Sequence, residues 1–254
     1  MIRTSVVDEH ILIITLDRPE ARNAFDGEMA QFMEKIMDDY EANDALWAAI
    51  IQAEGPTFCA GQDLKAAQRG DMGVTAKRGA FGFMRMPPNK PLIAAVDGQA
   101  FAGGMEMILS CDLIVASEIS EFAVTEAKRA LMAGGGGCFR LPQRIPYHIA
   151  LEMIMTGDAK GAEEMHRLGL VNKLVKEGQA ENGALELARR LVANSPIAVQ
   201  NSRAVAVQSV REAWTDAEAW EKQIPYFNAV ANSEDMKEGI AAFIEKRKPN
   251  WQGR

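Results

Sequence analysis

The sequence predicts an α/β protein that ends in an all-helical region. Short apolar runs alternate with helical stripes through most of the chain, and from about Asn182 onward only helical patterning remains. Ile11 to Leu16 is an isoleucine-rich run stopped by Asp17-Arg18-Pro19-Glu20, which reads as a buried strand and a turn. Asp26 then precedes Met29, Phe32, Met33, Ile36, Met37 and Tyr40, a helical stripe behind an N-cap residue. Ala48 to Ala53 is the next strand, ended by Glu54-Gly55-Pro56. Leu92 to Val96 and Leu113 to Ala116 are two more, and a helix is expected between them from Gly103 to Leu109. The helical end breaks at Pro196 and Pro225. Residues 66–90 carry scattered glycines, basic residues and Pro87-Pro88, and are expected to form a mobile insertion bordering a pocket.

Composition narrows the function. The 254 residues suit one large domain, or a main domain with a small appended one. A net charge of −7 disfavours nucleic acid as a partner. Cys59, Cys111 and Cys138 are far apart and odd in number, so reduced thiols are expected rather than a disulfide framework or zinc site. His10, His148 and His166 show no metal-ligand spacing, and no metal is expected. No apolar stretch approaches the ~20 residues of a membrane span and no signal peptide is visible, so the expected location is the cytoplasm.

Two segments carry candidate chemistry. In Phe58-Cys59-Ala60-Gly61-Gln62-Asp63-Leu64 a strand ends, a glycine permits a turn, and a helix begins near Asp63. In Ala100-Phe101-Ala102-Gly103-Gly104-Met105-Glu106 a glycine pair again follows a strand and opens a helix. Main-chain NH groups at such turns are unpaired and point at anions. Either turn alone is common in α/β proteins, and an acid such as Glu106 in a first helical turn also serves simply to offset the helix dipole. Two such amides converging on one oxygen would make an oxyanion hole.

Four stretches in consistent order carry a family resemblance. They are Arg18-Pro19-Glu20-Ala21-Arg22-Asn23-Ala24, the two glycine turns, and the ending Glu238-Gly239-Ile240-Ala241-Ala242-Phe243-Ile244-Glu245-Lys246-Arg247. Together they resemble the enoyl-CoA hydratase (crotonase) superfamily. That resemblance implies a β-β-α spiral core over residues 1–195 and a helical trimerisation region over 196–254. It implies a homotrimer, or a hexamer of two trimers, acting on acyl-CoA. No cofactor is implied, because coenzyme A is part of the substrate.

Carried over position by position, the resemblance makes the amides of Gln62 and Gly103 the oxyanion donors. Hydratases of the family use two glutamates, here Glu106 and Glu126, with 126 − 106 = 20 residues between them. We expect Glu106 to act as base and Glu126 as acid. Gly134 matches the glycine whose amide helps hold the water. Ala24, Ala60, Asp63, Leu64 and Lys65 match substrate-binding positions, and Phe227 and Lys246 match those that help bind the nucleotide. The implied reaction is syn addition of water to a trans-2-enoyl-CoA. Isomerisation, dehydration of a specialised acyl-CoA, and non-catalytic acyl-CoA binding stay open, because the superfamily hosts many reactions. Thr125, Ala130, Ala133, Cys138, Phe139 and Met105 depart from the usual hydratase residues around the acyl pocket, and Gln62 puts a large side chain at the oxyanion turn.

Overall fold

A computed structural model describes residues 1–254. Its strands are β1 (Ile2–Val7), β2 (Ile11–Leu16), β3 (Ala48–Ala53), β4 (Val74–Thr75), β5 (Gly79–Ala80), β6 (Leu92–Val96), β7 (Gln99–Phe101), β8 (Leu113–Ser117), β9 (Glu121–Ala123), β10 (Lys160–Gly161) and β11 (Lys173–Val175). Its first helices are α1 (Gly27–Ala42), α2 (Leu64–Gln68), α3 (Gly103–Ile108), α4 (Gly137–Arg140), α5 (Tyr147–Thr156), α6 (Ala162–Arg167) and α7 (Ala180–Val192). Four more close the chain: α8 (Pro196–Arg211), α9 (Asp216–Lys222), α10 (Ile224–Ala231) and α11 (Glu234–Glu245).

Six strands form the main sheet in the order β1-β2-β3-β6-β8-β11, parallel except for the β1–β2 hairpin. A second sheet, β10-β9-β7, stands apart from it. Side chains alternate across a strand, and both faces of the main sheet are covered. Leu12, Ile14, Leu16, Ala49, Ile51, Ala94 and Val96 face one core with Met29, Met33, Met37 and Tyr40 of α1. Ile11, Ile13, Ala48, Ile50, Ile93, Ala95 and Val115 face the other, with Ala180, Ala184 and Ala188 of α7. Double-sided burial explains why these strands read as continuous apolar runs. Burying one such side chain stabilises by roughly 1.5–3 kcal/mol.

Residues 66–90 are tied down, contrary to the mobile insertion the sequence suggested. The Arg78 side chain is buried, pairs with Asp38 at 2.6 Å and Glu41 at 2.7 Å on α1, and donates to the Met86 carbonyl. Phe81 stacks on Phe25 with ring centroids 4.5 Å apart, and Phe83 and Met84 are buried. Local composition concealed this because the anchors lie on α1, about 40 residues upstream in the bond Arg78 makes to Asp38.

The last four helices differ from the core. Most of their large apolar side chains face outward, with Phe243 85%, Ile244 72%, Phe227 68% and Trp220 67% exposed. No helix is long and apolar enough to cross a membrane.

Candidate active site

Main-chain pairing between the two glycine segments sets the site. Cys59 and Ala100 form an isolated parallel bridge, in which Cys59 N donates to Gln99 O and Phe101 N donates to Cys59 O, both at 3.0 Å. The two segments leave this bridge through turns with positive φ. Gly61 lies at φ +99°, and Ala102 at φ +51°, ψ −122°. Side chains are almost excluded there: a methyl on Gly104 would lie 2.1 Å from Cys59 O. A methyl on Gly61 would lie 2.9 Å from the Gly103 amide nitrogen, so the two turns are in direct contact. Gly103 opens α3, where no intrahelical acceptor exists for its NH.

The amino-terminal signature supports this arrangement from behind. Asp26 caps α1 by accepting from Met29 N, and Asp63 caps α2 by accepting from Lys65 N and Ala66 N. Arg18 joins the two caps, donating to Asp26 at 3.1 Å, Asp63 at 2.9 Å and Ala24 O at 3.0 Å. The Ala66 amide, with help from Arg18, holds the Asp63 carboxyl below its usual range. The Asp63 side chain thus spends its acceptors on the scaffold. Ala24 is buried and Ala60 half-buried beside the turn, while Leu64 and Lys65 are exposed on the first turn of α2. The Gln62 side chain turns aside, donating to Asp71 O at 3.1 Å and Asp63 O at 3.3 Å.

Glu106 lies one turn into α3 and is 5% exposed. Its Oε1 accepts from Gly137 N at 2.8 Å, and the glycine run folds round the carboxylate so closely that a methyl on Gly135 would lie 2.8 Å from Oε2. Burial raises the Glu106 pKa, opposed by the amides of Gly137, Gly135 and Gly136 and by the charge of Arg140. The amide on Glu106 is that of Gly137; Gly134, matched from sequence to the glycine that helps hold the water, is exposed three positions earlier. A run of four glycines does not show from sequence which amide reaches the acid.

Glu126 opens a single 3-10 turn, Glu126–Arg129, and is 9% exposed. Its Oε2 is buried with no hydrogen-bond partner. Burial, reinforced by the negative charge of Glu106, pushes its pKa up to about 7. Phe81 packs over the start of α3, where a methyl on Gly103 would meet its ring at 2.5 Å, and the Met84 sulfur lies against Gly135. Sequence reading missed Phe81, Met84, Gly137 and Arg140. Only the glycine run hinted at them. Phe227 and Lys246 are exposed on α10 and at the end of α11, and none of their hydrogen bonds or ion pairs reaches the two turns.

Fold and site together define an α/β protein of the crotonase type. The profile of the enoyl-CoA hydratase/isomerase family matches residues 7–254, and the chain belongs to that family. It is 40% identical over 254 residues to enoyl-CoA hydratase EchA19 of Mycobacterium tuberculosis, covering 96% of this chain and 94% of that protein. It is also 40% identical over 253 residues to the carnitinyl-CoA dehydratase of Escherichia coli, covering 96% and 95%. A solved enoyl-CoA hydratase from Mycobacterium tuberculosis superposes with a TM-score of 0.96 at 44% identity, covering 100% of this chain and 99% of that one.

Proposed function

We propose that the protein hydrates trans-2-enoyl-CoA thioesters reversibly and with syn geometry. The observation that carries this reading is the unpartnered, buried Oε2 of Glu126 beside a Glu106 already held by a main-chain amide. Two nearby carboxyls with unequal partners adopt unequal protonation states, and hydration needs one of each. The NH groups of Gln62 and Gly103 would receive the thioester oxygen, stabilising the enolate more than the ground state. Glu106, ionised, would take a proton from water as the oxygen adds to carbon 3. Glu126, protonated, would deliver a proton to carbon 2.

A second reading is dehydration of a hydroxyacyl-CoA, favoured by the identity to carnitinyl-CoA dehydratase. It uses the same groups in reverse, so the site serves both. Ala24, Ala60, Leu64 and Lys65, with Phe227 and Lys246, would hold the coenzyme A portion, the last two across a subunit boundary. The exposed Phe243 and Ile244 fit a homotrimeric contact. We place the enzyme in the cytoplasm, without a metal or a separate cofactor.

The test follows the enoyl absorbance of crotonyl-CoA and longer 2-enoyl-CoA thioesters on mixing with enzyme. Loss of the band with formation of the 3-hydroxyacyl product is the expected result. Migration of the double bond without water uptake would replace this reading with isomerisation. Binding without turnover of any enoyl or hydroxyacyl thioester would replace it with a binding protein.

A further inference from the structure

Arg140, the last residue of α4, reaches back over the glycine run. Its Nη1 donates to Ser110 Oγ at 2.9 Å and Gly135 O at 3.0 Å, and its Nη2 donates to Met84 O at 2.5 Å. Ser110 Oγ in turn donates to the Glu106 carbonyl at 2.8 Å. One side chain therefore grips the element that carries Glu106, the loop that wraps its carboxylate, and the segment that brings Met84 against that loop. All three direct partners are neutral. A largely buried guanidinium without a carboxylate in contact is costly unless its charge is met at longer range. Among the groups that act on it, Arg144, Arg211 and Cys111 offer no negative charge, while Glu106 does. Asp112, the next acid along, is already paired with Arg203 at 2.7 Å. The charged groups acting on the Glu106 carboxylate are Arg140 and, through its coupling to Glu106, Glu126, which is itself acted on by Arg129; the glycine amides are its neutral partners.

We propose that Arg140 is a positioning residue that seats Glu106 in the glycine cradle and adds a positive charge near its carboxylate. The inference rests on the reading of Glu106 as the base. It extends that reading by naming a side chain that joins the Gly137 and Gly135 amides in favouring the charged form of the base against burial. Arg140 also helps account for the inequality of the two acids, since its positive charge acts on Glu106.

The test separates this claim from the hydratase reading by using a signal that needs no substrate. Carboxyl 13C resonances of glutamate-labelled protein are titrated in the wild type, Arg140→Met and Arg140→Lys, with Glu106→Gln assigning the resonance. Loss of the charge in Arg140→Met should move the Glu106 midpoint to higher pH. The acidic limb of kcat/KM should follow it, so that activity at pH 6 falls ~10-fold further than activity at pH 8. Arg140→Lys keeps the charge but not the three-way grip. It should hold the midpoint near the wild-type value while kcat falls ~10-fold with KM nearly constant. A folded Arg140→Met with an unmoved midpoint overturns the charge role, and wild-type kcat in Arg140→Lys overturns the positioning role. Should Arg140→Met fail to fold, the midpoint in Arg140→Lys decides: a large displacement from the wild-type value contradicts the claim. A chain that shows these shifts yet turns over no thioester removes the hydratase reading alone.

Discussion

The cradle of Glu106 and the turn of Glu126 are equally dry and unequally furnished. The two side chains are 5% and 9% exposed, and burial raises both pKa values. Around Glu106 the chain supplies the Gly137 amide and a nearby guanidinium. Around Glu126 it leaves one oxygen without a partner. The comparison teaches that desolvation alone does not choose an acid from a base. Main-chain donors and a nearby charge make the two carboxyls unequal, and they come from segments other than those carrying the acids.

The sharpest break is to remove each carboxyl in turn. Glu106→Gln and Glu126→Gln should each lower kcat for hydration ~10³-fold, since positioned acid–base groups contribute about 10²–10⁴. The double variant should lose little more than either single one, because the pair acts as a unit. Additive losses measured by stopped-flow absorbance would show two independent roles. Next in size is Gly103→Ala, whose methyl would strike the Phe81 ring and displace the amide. A loss of ~10² in kcat is expected, of the order of one oxyanion donor. Adding Phe81→Ala should recover part of it by clearing the space.

A thermodynamic test follows from Glu126. In the fold its pKa is about 7 against the ordinary 4.5, so between those values the native state holds a proton that the unfolded chain has released. Unfolding free energy must therefore fall as pH rises through that window, by on the order of 3 kcal/mol. Urea titrations at pH 5 and pH 8 should show this slope, and Glu126→Gln should flatten it. The same group should give kcat/KM a falling limb near neutral pH. The smallest effect lies at the end of the Glu126 turn, where Ala130 sits at φ +55°. Ala130→Gly should relieve that conformation and add ~0.5–1 kcal/mol, measured as a Tm rise of about 2 °C with kcat unchanged.

Sequence periodicity was a good guide to the sheet and a poor one to the site's supports. The strands Ile11–Leu16, Ala48–Ala53 and Leu92–Val96 could be read to the residue, because burial on both faces leaves largely apolar runs, interrupted only by Thr15 and Gln52, between polar stops. The helix behind Asp26 was legible from its cap and stripe. The two glycine turns were visible as local signals, and the spacing of the two glutamates as a family pattern. What stayed hidden depends on long-range contact. Arg78 reads as a loop cation until Asp38 and Glu41 are placed beside it. Arg140 reads as a surface residue until Ser110 and Met84 are brought to it, 30 and 56 positions away. Exposed Phe243 and Ile244 were read only as part of a terminal motif, and periodicity does not show that they face outward.

The parallel bridge between Cys59 and Ala100 has a consequence for biogenesis. A growing chain released only as far as the first glycine turn has one of the two NH groups and no surface on which to aim it. On the proposed reading, closing a loop of about 40 residues against entropy precedes any capture of a thioester oxygen. Competence toward ligand therefore waits for the second glycine turn to dock on the first, and no excised amino-terminal fragment that ends before Ala100 should have it.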